Sequence, residues 1–174
     1  LPGASATLTA LSVAGSLLDA HGGAFSFIGF LPSKAKQKDT LLRTLANHPY
    51  ALVMYEAPHR IAATLTALSV CLPPQRQLLI GRELTKCFEQ IVTCTVAEGP
   101  HWVAADSNHV RGEFVLIVEG AGTQDLAAYD ATKILSLLVA EMAPAKAARI
   151  AAALTDLPRQ ILYEQAIALK RDMS

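Results

Sequence analysis

Residues 50–60 read Tyr-Ala-Leu-Val-Met-Tyr-Glu-Ala-Pro-His-Arg. The apolar run from Tyr50 to Tyr55 is of strand length, and Pro58 suits the first position of a helix in which Ile61, Leu65 and Leu68 recur at helical spacing. A strand that hands over to a helix is the repeating unit of an α/β protein. Working outward, the same alternation recurs on both sides.

Upstream, Ala4 to Leu18 reads as one helix opened by Pro2 and Gly3, and Ala24 to Phe30 is an aromatic-rich strand. Ser33 is placed to cap a helix from Lys34 to Ala46 that carries Leu41, Leu42 and Leu45 on one side. Downstream, strands are expected at Gln77 to Gly81, Gln90 to Val96 and Glu113 to Val118, the first two close enough for an antiparallel hairpin. The fold class is therefore α/β, with a mixed, partly parallel five-stranded sheet flanked by helices. After Gly122 the pattern turns all-helical, at Tyr129 to Glu141, Pro144 to Leu154 and Pro158 to Lys170, with Thr155-Asp156-Leu157 as a short helix-turn-helix connection. Two domains follow, 1–122 and 123–174, linked at Gly120 to Thr123.

With 174 residues, 52% of them hydrophobic, the chain can bury one full core and a small appendage. Fifteen basic side chains balance fifteen acidic ones, yet eight basic residues face only three acidic ones between Ser33 and Lys86. One face is expected to be basic on a neutral protein. Cys71, Cys87 and Cys94 are odd in number and lack metal-ligand spacing, so reduced, cytoplasmic thiols are the simpler reading and no metal is implied. No apolar run approaches the ~18 residues needed to span a bilayer. Beginning at Leu1 without a methionine, the chain reads as a fragment.

Two segments concentrate the chemistry. Tyr55 to Arg60 and Gly81 to Lys86 both follow strands, and open α/β sheets place their ligand crevices at such strand ends. Lys34, Lys36 and Lys38 stand in the opening turns of a helix, where cations oppose the dipole unless a phosphate docks there; the alternative is a solvated basic face. Gly81 and Gly112 suit close backbone approach to a ligand, or simply turns.

FIGFLPSK (27–34), YEAPHR (55–60), GRELTK (81–86) with Phe88-Glu89, and GEFVLIVEG (112–120) resemble, in order, the signature blocks of the ribosomal RNA small-subunit methyltransferase I family within the tetrapyrrole-methylase superfamily. The tail from Pro144 to Leu169 resembles that family's helical C-terminal domain. The resemblance implies transfer of a methyl group from S-adenosylmethionine to a cytidine ribose 2'-OH of 16S rRNA in the 30S subunit, by a homodimer. It also implies a second α/β domain plus tail, because the Gly-rich loop and Gly-Asp-x-Gly-x-Pro block of a donor-binding first domain do not occur here. Alone, such a piece is expected to be a poor methyltransferase.

On that resemblance, Phe30, Leu31 and Pro32 help enclose the donor together with Gly81 and Gly112. Glu56, His59, Glu83 and Lys86 are the catalytic candidates, His59 expected in a first helical turn as the base that takes the ribose proton. Arg60 and Arg82, with Lys34, Lys36 and Lys38, are the candidates for holding RNA. Each has a structural alternative: Glu56 and His59 tie down the loop or pair with Arg60, and Glu83 forms a local ion pair. The tail's Arg149, Arg159, Lys170 and Arg171 are candidates for RNA, while Ile150, Leu154, Ile161, Leu162 and Ile167 call for a core. A porphyrin or corrin precursor methylase, and a non-catalytic RNA-binding or dimerisation module, remain the competing readings.

Overall fold

The computed structural model describes residues 4–19, 22–121, 123–155 and 157–172. The chain divides into two compact units, Leu1–Ala121 and Gly122–Ser174. Pro2, Gly3, Gly122 and Asp156, read above as helix opener, linker and turn, lie outside the described residues. No helix among the described residues is long and apolar enough to cross a membrane.

In the first unit β1 (Phe25–Phe30), β2 (Ala51–Glu56), β3 (Gln77–Arg82), β4 (Gln90–Thr95) and β5 (Phe114–Val118) form one sheet in the order β1-β2-β5-β3-β4. β1 and β2 are parallel, joined by the crossover helix α3 (Ala35–Leu45), and the other neighbours are antiparallel, including the β3–β4 hairpin. The sequences of the central strand β5 and its neighbour β2, FVLIV and ALVMYE, are apolar almost without interruption because both faces of their strands are covered. The edge strands β1 and β4 instead alternate between exposed and half-buried positions.

One face packs Leu52, Met54, Leu78, Ile80 and Leu116 against α3, α4 (Ile61–Cys71) and α5 (Gly99–Ala105). The other packs Val53, Leu79, Val115 and Ile117 against Ala10 of α1 (Ala6–Ser12) and Leu17 of α2 (Ser16–Asp19). Burying a leucine or isoleucine of this kind contributes about 1.5–3 kcal/mol, so the strand pairing is held from both sides.

Several boundaries differ from expectation. The single helix expected over Ala4 to Leu18 is two, interrupted at Gly15, whose φ of 42° leaves the right-handed helical region. Lys34, not Ser33, is the N-cap of α3, and it makes no side-chain capping bond. Pro58 does not open a helix: residues 57–60 form a turn in which the Arg60 and Ile61 N–H groups both donate to the Ala57 carbonyl, and α4 begins at Ile61. The helix α5 was not anticipated as such; Pro100 near its start fits the place where a missing N–H costs nothing.

The second unit contains α6 (Thr123–Glu141), α7 (Pro144–Thr155) and α8 (Arg159–Asp172). Its core is built from Leu135, Val139, Ala147, Ala148, Ala151, Leu162 and Ala166. Alanines fill the contact faces and let the backbones approach, which leaves Leu154 and Ile161, expected in the core, largely exposed. Lys170 donates to the Val139 carbonyl at 2.9 Å, near the C-terminal end of α6, where a cation is favoured.

Candidate active site

Gly29 decides the aromatic wall at the end of β1. Residues 27 and 30 would fall on opposite faces of a regular strand, but the register slips between Phe27 and Gly29, where Gly29 has φ of 74°. Phe27 and Phe30 therefore both meet Tyr55, with ring centroids 5.1 and 5.7 Å away. The Tyr55 hydroxyl accepts a 2.8 Å hydrogen bond from Thr7 of α1, which fixes the ring from the other side.

Beside this wall lies a cavity of ≈550 Å³, lined by Phe30, Tyr55, Pro58, Leu84, Phe114 and Glu113 among others. It sits at the carboxyl ends of β1 and β2, where an antiparallel β5 begins. Its size is that of a small-molecule site, and its walls are mostly apolar with few polar groups, the usual character of such pockets.

Under the cavity, Glu56 is fully engaged. Its Oε2 accepts from Thr64 Oγ1 at 2.6 Å; its Oε1 accepts from the Ala57 N–H at 2.8 Å and pairs with Arg60 Nε at 3.1 Å. Thr64 Oγ1 in turn accepts from Lys38 Nζ at 3.2 Å. Arg60 Nη2 donates to the Leu31 carbonyl at 2.5 Å and, more weakly, to that of Pro32 at 3.4 Å. One buried network thus joins the end of β1, the end of β2, α3 and α4.

Past β3 the chain turns sharply: Glu83 and Thr85 have φ of 49° and 64°, a region non-glycine residues rarely occupy. The turn is held by its own polar groups. Glu83 Oε1 accepts from the Glu113 N–H at 2.8 Å and from Lys86 Nζ at 2.9 Å, and Lys86 also reaches Glu113 Oε2 at 2.9 Å. Glu89 accepts from the Thr85 N–H at 2.6 Å. The Glu113 N–H, then the Lys86 ammonium, hold the Glu83 carboxyl below the ordinary range; Glu113, then Glu83, hold Lys86 above its own.

These contacts revise the expected roles. Leu31 is buried in the core, and Pro32 meets Arg60 through its carbonyl, so of that trio only Phe30 lines the cavity. The space beside Gly81 is filled by Leu84, and a Cβ on Gly112, at φ of 90°, would fall 2.5 Å from Glu83 Cγ. Both glycines accommodate the chain's own side chains. Lys38, 6% exposed, belongs to the buried network and cannot face a phosphate, whereas Lys34 and Lys36 are exposed. Glu56 and Arg60 anchor the loop. His59 precedes the cap of α4 instead of lying in its first turn; it is exposed and without a hydrogen-bond partner among the described residues.

Glu83 and Lys86 pair with each other on the exposed side of the loop, outside the cavity wall. Arg82 Nε donates to the Arg111 carbonyl at 2.7 Å. Sequence reasoning missed Tyr55, Leu84 and Phe114 as wall residues. The signal available was their position: each borders a strand end, but apolar residues there are indistinguishable from core until the packing is known.

Residues 1–99 match the family model described as Tetrapyrrole (Corrin/Porphyrin) Methylases, and residues 125–170 that described as RsmI C-terminal HTH domain. The chain is 42% identical over 164 residues to Ribosomal RNA small subunit methyltransferase I of Xylella fastidiosa, covering 94% of this chain and 59% of the relative. The protein of that name from Pseudomonas aeruginosa is 39% identical over 171 residues, covering 96% and 59%, and that from Escherichia coli O157:H7 is 40% identical over 169 residues, covering 96% and 57%. The chain thus spans less than two thirds of the length of these relatives. Among solved structures, the methyltransferase CobJ superposes with a TM-score of 0.50 at 23% identity, covering 70% of this chain and 50% of that one. Cobalt precorrin-4 methyltransferase, CbiF, does so with a TM-score of 0.52 at 15% identity, covering 68% and 50%. At those identities the likeness is one of fold.

Proposed function

The chain belongs to the tetrapyrrole (corrin/porphyrin) methylase family, and on that premise we propose that it is part of an S-adenosylmethionine-dependent methyltransferase acting on a cytidine ribose 2'-OH of 16S rRNA. The observation that carries this reading is the extent of the likeness: about two residues in five are shared with small-subunit rRNA methyltransferases over 94% of the chain or more. The same reading takes the 30S subunit as substrate particle, a homodimer as working form and the cytoplasm as compartment.

The cavity at the strand ends suits the donor. Phe30, Tyr55, Leu84 and Phe114 offer an apolar and aromatic wall for a purine and a thioether chain, and the few polar groups leave orientation to backbone and partner surfaces. When bound, S-adenosylmethionine supplies an electrophilic methyl group on a sulfonium. The work left to this chain is to hold the aromatic wall still, to exclude water from it and to take a proton from the ribose hydroxyl. The Glu56 network does the first by tying both strand ends together. For the last we propose His59, the catalytic candidate that is exposed and unpartnered among the described residues, beside the cavity-lining Pro58.

The test is methyl transfer by the full-length protein to unmodified 30S subunits, with the modified ribose mapped by reverse transcription at low nucleotide concentration. Transfer to one cytidine is expected, and His59→Ala is expected to lower kcat by roughly 10²- to 10⁴-fold with donor affinity retained. Methylation of a tetrapyrrole with none of rRNA would overturn the assignment. An unchanged kcat for His59→Ala would remove only the base.

A further inference from the structure

On the other side of the 83–89 loop is a second cleft, of ≈330 Å³, to which Arg82, Phe88, Gln90, Asp106, Asn108 and His109 contribute. Resting on the rRNA reading above, we propose that this cleft receives a flanking nucleobase of single-stranded RNA, one bearing an exocyclic amino group. Neither the cavity of the donor nor the reacting ribose is involved.

Phe88 is 75% exposed, although a phenylalanine of a tight, polar turn gains nothing from water. An exposed ring beside a groove is a platform on which any base can stack. The wall formed by the 3₁₀ turn at Ser107–Val110 is rigid. The His109 imidazole stacks on Trp102 with centroids 4.1 Å apart and planes 10° from parallel, and its Nδ1 lies 2.7 Å from the Trp102 carbonyl.

The polar groups supply an edge to read. Gln90 Oε1 is buried yet has no hydrogen-bond partner, an acceptor whose desolvation is uncompensated until a donor arrives. Gln90 pairs in register with Arg82, so the two side chains share one face of the sheet. Arg82 is steadied at Nε by the Arg111 carbonyl and its charge is felt by Glu83 and Asp106, while its terminal N–H groups have no hydrogen-bond partner among the described residues. An acceptor beside a fixed guanidinium matches a base that offers an amino group next to a ring acceptor, as cytosine and adenine do; uracil has no such amine. Leu84 lines the donor cavity and Phe88 this cleft, so a strand crossing the intervening loop can bring one ribose up to the donor and place a neighbouring base in the cleft.

The experiment measures kcat and KM of the full-length protein on unmodified 30S subunits, together with fluorescence anisotropy of short single-stranded RNAs that differ at one base. Phe88→Ala is expected to raise the RNA KM about tenfold at unchanged kcat and unchanged donor KM, and Phe88→Trp to restore it. Gln90→Leu is expected to abolish the preference for an amine-bearing base over uracil. Because Phe88 is exposed, its replacement leaves the melting transition in place.

RNA KM values within twofold of wild type for both Phe88→Ala and Gln90→Leu overturn the cleft while the rRNA reading stands. If the wild type methylates no rRNA, that reading falls and anisotropy decides the cleft alone: a tenfold loss with Phe88→Ala upholds it, equal affinity overturns it. A Phe88→Ala protein that changes its oligomeric state but binds RNA normally assigns the face to a protein contact, and the nucleobase site is then wrong.

Discussion

Glu56 and Glu83 look alike in the sequence: each stands at the end of a strand, with a cation four or three residues later, Arg60 or Lys86. Their surroundings are opposite. The Glu56 side chain is fully enclosed, with α4 contributing Thr64 and α3 contributing Lys38, while Glu83 meets the backbone of Glu113, the bare Gly112, a half-exposed Lys86 and the charge of Arg82. A charge pair enclosed by helices is a structural clamp, because removing one member leaves the others buried without compensation. A pair at the rim is screened by water, and its value lies in shaping a turn, not in holding the fold. The same residue types thus serve different ends according to what the chain places over them.

The largest expected effect comes from breaking the enclosed pair. Glu56→Ala leaves Arg60 and the Thr64 hydroxyl without their carboxylate and should destabilise the protein by about 3–5 kcal/mol in urea unfolding. Glu56→Gln, which keeps the shape, should cost less. The contrast drawn above collapses if Glu83→Ala lowers the urea midpoint as much as Glu56→Ala does.

Next in size is the hydroxyl that bridges the network. Thr64→Val removes a donor to Glu56 and an acceptor for Lys38, and should cost about 1–3 kcal/mol, since buried partners are left unpaired. Lys38→Met combined with it should be non-additive by more than about 0.5 kcal/mol, because Lys38 joins the network through the Thr64 hydroxyl. Strict additivity in that double-mutant cycle would mean that Lys38 is buried for packing alone.

Much of this architecture was legible in the order of residues. The apolar runs of β2 and β5 announced strands, and the short spacing between Gly81 and Gln90 announced the hairpin. Family-like blocks at strand ends pointed to the edge of the sheet where the described cavity lies. What was not legible depended on the third dimension. Lys38 reads as one of three exposed lysines on a helix start, and nothing local says that its neighbour across the sheet face is Thr64. Gly81 and Gly112 read as room for a ligand, yet the room is taken by Leu84 and Glu83 from the following turn. The aromatic wall required a bulge at Gly29, a shift of one residue that no periodicity of Phe27 and Phe30 reveals.

The smallest effect expected on stability is that of Lys86→Ala, and it is the sharper test of what the exposed cluster does. Lys86 joins Glu83 to Glu113 across the turn, but all three groups reach water, so the melting temperature should not move and any residual change should vanish at high salt. The pH dependence has a definite sign. A carboxyl held low in the folded state stabilises above its unfolded pKa, and that contribution is lost as pH falls through the lower, folded value. For Glu83 the loss therefore sets in only below about pH 4.3, the ordinary glutamate value, and the protection of amides in the 83–89 turn, relative to an unfolded chain at the same pH, should fall there. In Lys86→Ala the second of the two main supports of that carboxylate is gone while the Glu113 N–H remains, so the acid limit should shift upward without disappearing. An acid limit unmoved by the substitution would show that the backbone donor alone shapes the turn, and that Lys86 is not needed to hold it.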